Sequence, residues 1–142
     1  MRYKNCLIIL LLFSCTKPKE NEYNQKCDLE VDLRFFEFKI IGLNDSFNFL
    51  AATSNPDLIS KIEEELRLPF DQRINHINGI VAAGNGCYNG KLDWHYMPNQ
   101  WSLSEVSIEL CDGYPSNPVD NSNVGETYNA CPWNARLLKE IK

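Results

Sequence analysis

The chain has no apolar run long enough to cross a bilayer, no CxxC pair, only two histidines and no surplus of positive charge. Each absence removes a class of protein. Its most hydrophobic stretch, Leu7 to Phe13, falls far short of the ~20 residues that a spanning helix needs. Without CxxC spacing, the cysteines do not read as a zinc ribbon or a redox motif. With 14 Lys and Arg against 19 Asp and Glu, and no clustered basic stripe, the surface argues against a phosphate backbone or anionic lipid as partner. Neither a Gly-x-Ser-x-Gly elbow nor a glycine loop that would cradle phosphate occurs.

What is present begins with an address. Arg2 and Lys4 form a basic start, Leu7 to Phe13 an apolar core, and Leu12-Phe13-Ser14-Cys15 closes it. That tetrapeptide resembles a bacterial lipobox, although Phe13 is a bulky choice within it. The reading makes residues 1–14 a lipoprotein signal peptide and Cys15 the lipid-attachment site. The alternative is an ordinary signal peptide with a chance cysteine. Two or three acyl chains hold a protein on a membrane where one would not, since each buried methylene adds about 0.8 kcal/mol. Cleavage would remove two basic residues and leave a net charge of about −7. Residues 15–26, polar and without apolar period, predict a flexible tether. Residues 27–142 predict a single domain. The expected location is the cell envelope, on the outer membrane where one exists.

Four cysteines then remain, Cys27, Cys87, Cys111 and Cys131, and in an exported chain they imply two disulfides. Three pairings are possible. The one favoured here joins Cys111 to Cys131, closing a loop rich in Pro, Gly and Asn, and Cys27 to Cys87. A loop of that size closed by a disulfide is worth roughly 3 kcal/mol in the chain-entropy model.

Leu33 to Ile41 and Ser46 to Ala51 alternate as two strands about the Gly42-Leu43-Asn44-Asp45 turn, predicting a hairpin. Ser54-Asn55-Pro56-Asp57 starts a helix whose stripe of Leu58, Ile59, Ile62 and Leu66 runs to Leu68, before Pro69 stops it. Lys61, Glu63, Glu64, Glu65 and Arg67 predict its solvated face. Asn75 to Ala83, Leu92 to Met97 and part of Trp101 to Cys111 read as further strands, with Pro98 ending the second. Asn134 to Ile141 predicts a short final helix. The expected fold is α+β: an antiparallel sheet of about five strands, one long helix across one face, and a short C-terminal helix.

Several segments match a known family in order. They are Phe36-Glu37-Phe38, the helix after Asn55-Pro56, Asn78-Gly79-Ile80-Val81, Tyr88-Asn89, Trp94-His95-Tyr96-Met97-Pro98, Ile108-Glu109-Leu110-Cys111-Asp112-Gly113, and Cys131-Pro132-Trp133-Asn134-Ala135-Arg136-Leu137. Together they resemble the family named for the N-terminal domain of the 74-kilodalton calmodulin-binding protein (BP-74 type), over about Leu33 to Ile141. The resemblance implies, loosely, an association with protease inhibition. It does not imply calmodulin as a partner: calmodulin takes basic amphipathic helices, and the Asn55 to Leu68 helix carries four acids against two bases.

A protease inhibitor needs a braced, exposed loop that offers one anchor side chain. The Asp112 to Ala130 loop, stiffened by Pro115 and Pro118, contains no Lys or Arg, so Tyr114 or Tyr128 suits a chymotrypsin-like pocket; Arg73 is the alternative anchor. Catalytic candidates are thin: Asp93 and His95 on one side of a strand, His76, and Glu109 near Cys111. Asp120 to Glu126 resembles the front of a calcium loop but fails its register at Val124 and Cys131. Trp94, Trp101 and Trp133 read as core rather than a sugar platform. The expectation is a non-enzymatic, lipid-anchored module without metal or cofactor, binding an extracytoplasmic protein such as a protease. The alternative is an envelope-structural or small-ligand-binding lipoprotein without inhibitory activity.

Overall fold

The computed structural model describes residues 29, 32–106 and 127–142. Cys15, Cys27, Cys111, Tyr114 and Pro115 lie outside them, as do the residues expected to form a signal peptide and a tether and the calcium-like stretch.

Six strands form two three-stranded antiparallel sheets among the described residues. β1 (Arg34–Ile40) is the centre of the first, flanked by β2 (Phe49–Thr53) and β6 (Ala135–Ile141). β3 (His76–Ala83) is the centre of the second, flanked by β4 (Trp94–Ser104) and β5 (Thr127–Ala130). Alternation along the central strands points one face inward: Phe36, Phe38 and Ile40 are fully buried, as are Ile77 and Val81. These inner faces meet in one aromatic core, where Trp101 sits edge-on to Phe38 at 5.7 Å and Phe49 packs on Trp94 at 5.2 Å.

The single α-helix among the described residues, α1 (Pro56–Arg67), starts as predicted. Asn55 accepts from Asp57 N (2.9 Å) and Leu58 N (3.3 Å), and Pro56 opens the first turn where no N–H is needed. Leu58 and Ile62 enter the core. Glu65, expected on the solvated face, is buried instead, and its carboxylate accepts from Asn75 N and Nδ2. Those bonds tie the helix to the chain entering β3.

The expected α+β arrangement is therefore corrected. There is no five-stranded sheet among the described residues, the helix has 12 residues and packs against β4 and β6 rather than across a sheet, and the expected C-terminal helix is β6. An isolated helix of eight residues is marginal on propensity alone. As a strand, the same residues bury Ala135 and Leu137 and fill the open edge of β1. Leu138 and Ile141, which suggest a helical stripe, lie partly exposed. β5 also falls within a stretch read as loop.

Pro98 does not end its strand. Between the pairs Val81↔Tyr96 and Gly79↔Trp101, β4 has four residues where β3 has only Ile80, so Met97 to Gln100 bulge outward. A proline is tolerated there because a bulge asks no ladder N–H of it. The bulge puts Asn99 in the left-handed region, φ 62°, a conformation that asparagine tolerates better than most residues.

That bulge closes the seam between the sheets. β2 has no backbone ladder to β4, and alternate residues along its free edge are met by side chains. Leu50 N donates to Asn89 Oδ1 (3.0 Å), Ala52 O accepts from Trp101 Nε1 (2.8 Å), and Ser54 N donates to Asn99 Oδ1 (2.7 Å). Asn89, itself buried, also donates to Trp94 O.

Gly79 lies opposite Trp101, and a Cβ there would run into the Trp101 Cβ and the Gln100 carbonyl. Gly79→Ala is expected to destabilise the fold by about 2 kcal/mol or more, because the obstruction is backbone and cannot rotate away. Asn99→Ala is expected to cost about 1–3 kcal/mol, chiefly by leaving the hydroxyl of the buried Thr53 without the acceptor it shares with Ser54 N. Urea unfolding of both variants measures these losses, and wild-type stability in both would remove the seam as a structural element.

Candidate binding surfaces

The β3–β4 connection, residues 84–93, folds over the outer face of the β2–β1–β6 sheet. Its shape comes from local polar contacts: Asn85 Oδ1 accepts from Cys87 N (2.9 Å), Asn85 O accepts from Asn89 N (2.9 Å), and Gly84 N donates to Asp93 O (2.6 Å). Gly86 takes φ 59°, with its α-carbon so near the His95 ring that a Cβ would enter it. Tyr88 then reaches back to pack on Phe35 at 5.5 Å, and its hydroxyl donates to Tyr96 O. Burial pushes that hydroxyl above the ordinary tyrosine range.

Between this connection and the sheet lies a cleft of about 400 Å³, with Leu50, Tyr88 and Ile141 among its walls and Glu37, Asp45 and Asn48 along one side. A second, larger cleft of about 510 Å³ lies beside α1, where Lys61, Glu64 and Glu105 face Leu68 and Leu103.

The residues singled out from sequence are scattered. Arg73 is engaged with backbone carbonyls: its guanidinium donates to Leu66 O, Leu68 O, Leu137 O and Leu138 O, at 2.8–3.1 Å. It caps the last turn of α1 and joins it to β6, a role that holds the side chain at home. Tyr128, opposite Val81 on β5, packs against the core; its hydroxyl is buried without a hydrogen-bond partner among the described residues, and burial with nearby Asp93 pushes its pKa up to about 12. Cys131 is buried at the end of β5, and Cys87 sits in the 84–93 connection. Each favoured disulfide has one member outside the described residues. The Phe35–Tyr88 contact brings the start of β1 close to the connection that carries Cys87.

His95 turns Nδ1 to the Gly84 carbonyl at 2.7 Å, so it braces the connection. Trp94 and Trp101 are core, whereas Trp133 is 44 % exposed and lies flat on His76, centroids 5.9 Å apart. Among the described residues no group of three or more His, Cys, Asp or Glu is placed to hold a metal ion. Asn48, Asn89 and Asn99 carry no signal of their roles in the sequence, because asparagine beside glycine, proline or a strand end reads as a turn residue.

The His76 pKa is shifted downward, first by burial and then by the Arg136 charge. The folded protein therefore holds fewer protons than the unfolded chain around and below the ordinary value of 6.5, and stability falls as pH drops through that value toward the depressed one. Unfolding midpoints measured across this window should decline in the wild type and decline less in His76→Gln. Equal slopes would exclude the assignment.

The comparison with known families gives a match to the BP-74 N-terminal domain, over residues 32–142. No curated protein and no solved structure matches the chain. The match spans both sheets, α1 and the connection that forms the cleft, and on that extent the chain belongs to the BP-74 N-terminal domain family.

Proposed function

We propose that the protein is an exported, lipid-anchored, non-enzymatic module that recognises another protein through the segment between β4 and β5, with protease inhibition as its most concrete form. One observation carries the reading. The two strands that bound this segment flank the same central strand, β4 ending at Ser104↔His76 and β5 beginning at Thr127↔Ala82, so both its stems are pinned to one sheet, one towards each end of β3. A loop held on a rigid scaffold is where recognition is commonly built. Within it Tyr114, next to Pro115, is the anchor of choice, since Arg73 is engaged with carbonyls and Tyr128 packs inward. A second reading, a small-ligand-binding lipoprotein without inhibitory activity, draws on the cleft beneath Tyr88.

Titrating a panel of serine proteases with the purified protein separates the two. The expected outcome is tight, stoichiometric inhibition of a protease that prefers aromatic residues, weakened at least about 100-fold in Tyr114→Ala, as loss of a central interface anchor predicts. Slow digestion with no inhibition of any protease would remove the first reading. Mass analysis of the mature protein should find an acylated Cys15 and two disulfides among Cys27, Cys87, Cys111 and Cys131. Four free thiols or an uncleaved start would overturn the exported, anchored state.

A further inference from the structure

We propose that Asn85 is a site of spontaneous intramolecular deamidation, selected by the fold from three Asn-Gly pairs, and that isoaspartate formed there loosens the hold on the free edge of β2. The reaction needs neither a partner nor a lipid anchor, so it is independent of both readings above.

The chain carries Asn78-Gly79, Asn85-Gly86 and Asn89-Gly90. Glycine leaves the peptide nitrogen after asparagine unscreened, and attack of that nitrogen on the side-chain amide carbon closes a five-membered ring. The three sites differ in what holds them. Asn78 and Gly79 lie in β3, the central strand of its sheet, paired with Ser102 and Trp101 on one side and, at Gly79, with Ala130 on the other. Ring closure there requires a backbone rotation that would break the pairing. Asn89 is buried, and both ends of its amide are engaged, Oδ1 by Leu50 N at 3.0 Å and Nδ2 by Trp94 O at 3.1 Å. Reaction there would leave buried groups without partners.

Asn85 is exposed and opens a turn. The attacking group, Gly86 N, and the departing group, Asn85 Nδ2, have no hydrogen-bond partner among the described residues. Asn85 Oδ1, in contrast, accepts from Cys87 N at 2.9 Å. That N–H polarises the carbonyl and is in place to stabilise the negative charge that gathers on the oxygen at the tetrahedral stage. Of the three sites, Asn85 alone combines a held oxygen with an unbonded nucleophile and leaving group.

In the reaction, Gly86 N gives its proton to hydroxide and bonds to Asn85 Cγ; the Cγ–Nδ2 bond breaks, and ammonia departs with a proton from water. Water then opens the ring at either carbonyl, giving aspartate or isoaspartate without change of oxidation state. Aspartate keeps an acceptor for Cys87 N. Isoaspartate runs the main chain through the side-chain methylene and turns the carbonyl that accepts from Asn89 N (2.9 Å) into a pendant carboxylate. Asn89 Oδ1 holds Leu50 N, so the change reaches the seam.

The test ages the full-length protein in detergent micelles at mildly alkaline pH, native and in guanidinium chloride, and maps aspartate and isoaspartate at the three sites by mass spectrometry. In the native protein Asn85 is expected to react at least about tenfold faster than Asn78 and Asn89, which react only through local opening. In denaturant the three rates should converge. Asn85→Gln, which would have to close a larger ring, should lower native isoaspartate formation at least about tenfold. In the separated isoaspartyl form, hydrogen exchange at Leu50 N should be at least about tenfold faster than in the parent, while the β3 amides keep their protection. Equal native rates at the three sites, an intact Asn85 under conditions that modify the denatured chain, or undiminished isoaspartate in Asn85→Gln would overturn the site. Unchanged Leu50 exchange would overturn its link to the seam.

Discussion

Everything in this fold rests on how the free edge of β2 is satisfied. Two three-stranded sheets that share no backbone ladder at this edge would leave a row of unpaired peptide groups beside an aromatic core. Asn89, Trp101 and Asn99 supply side-chain partners at Leu50, Ala52 and Ser54, every second residue along the edge. Because those partners come from β4 and the connection before it, the seam also dictates where that connection lies. The bulge at Met97 to Gln100 is the geometric consequence, since it resets the alternation of β4 so that Tyr96 and Trp101, five residues apart and on opposite faces of a regular strand, are both buried.

The surfaces follow from the same constraint. Asn89 bonded to Leu50 N holds the 84–93 connection at the sheet edge, and from there Tyr88 crosses to Phe35 and leaves the cleft beneath it. On the opposite side, Arg73 gathers carbonyls of α1 and β6 with one guanidinium, and Glu65 fastens the helix to the start of β3. Arg34 adds a bidentate pair to Glu140 and a bond to Glu63, tying β1, β6 and α1 together at a partly exposed site where such pairs contribute modestly. Long polar side chains, more than backbone, connect the layers.

How much of this is legible in the sequence varies with the range of the interaction. The β1–β2 hairpin and the Asn55-Pro56 helix start are legible because alternation, turn residues and capping act within a few positions. Asn134 to Ile141 misleads because Leu137, Leu138 and Ile141 fit a helix as well as a strand over so short a span. Pro98 reads as a stop because a bulge cannot be told from a strand end without the partner strand. The buried Glu65 is invisible in a charged run, since its partner Asn75 comes from outside the helix.

The order of residues thus settled the family, the helix and the alternating central strands, all set by local chemistry or by patterns within a single segment. Which sheet each strand joins, the conversion of the last segment into β6, and the use of Asn48, Asn89, Asn99, Arg73 and Glu65 were settled in three dimensions. The reason is physical: a peptide group at a sheet edge accepts whichever partner the packing of the other sheet delivers, and no local signal says which one that is.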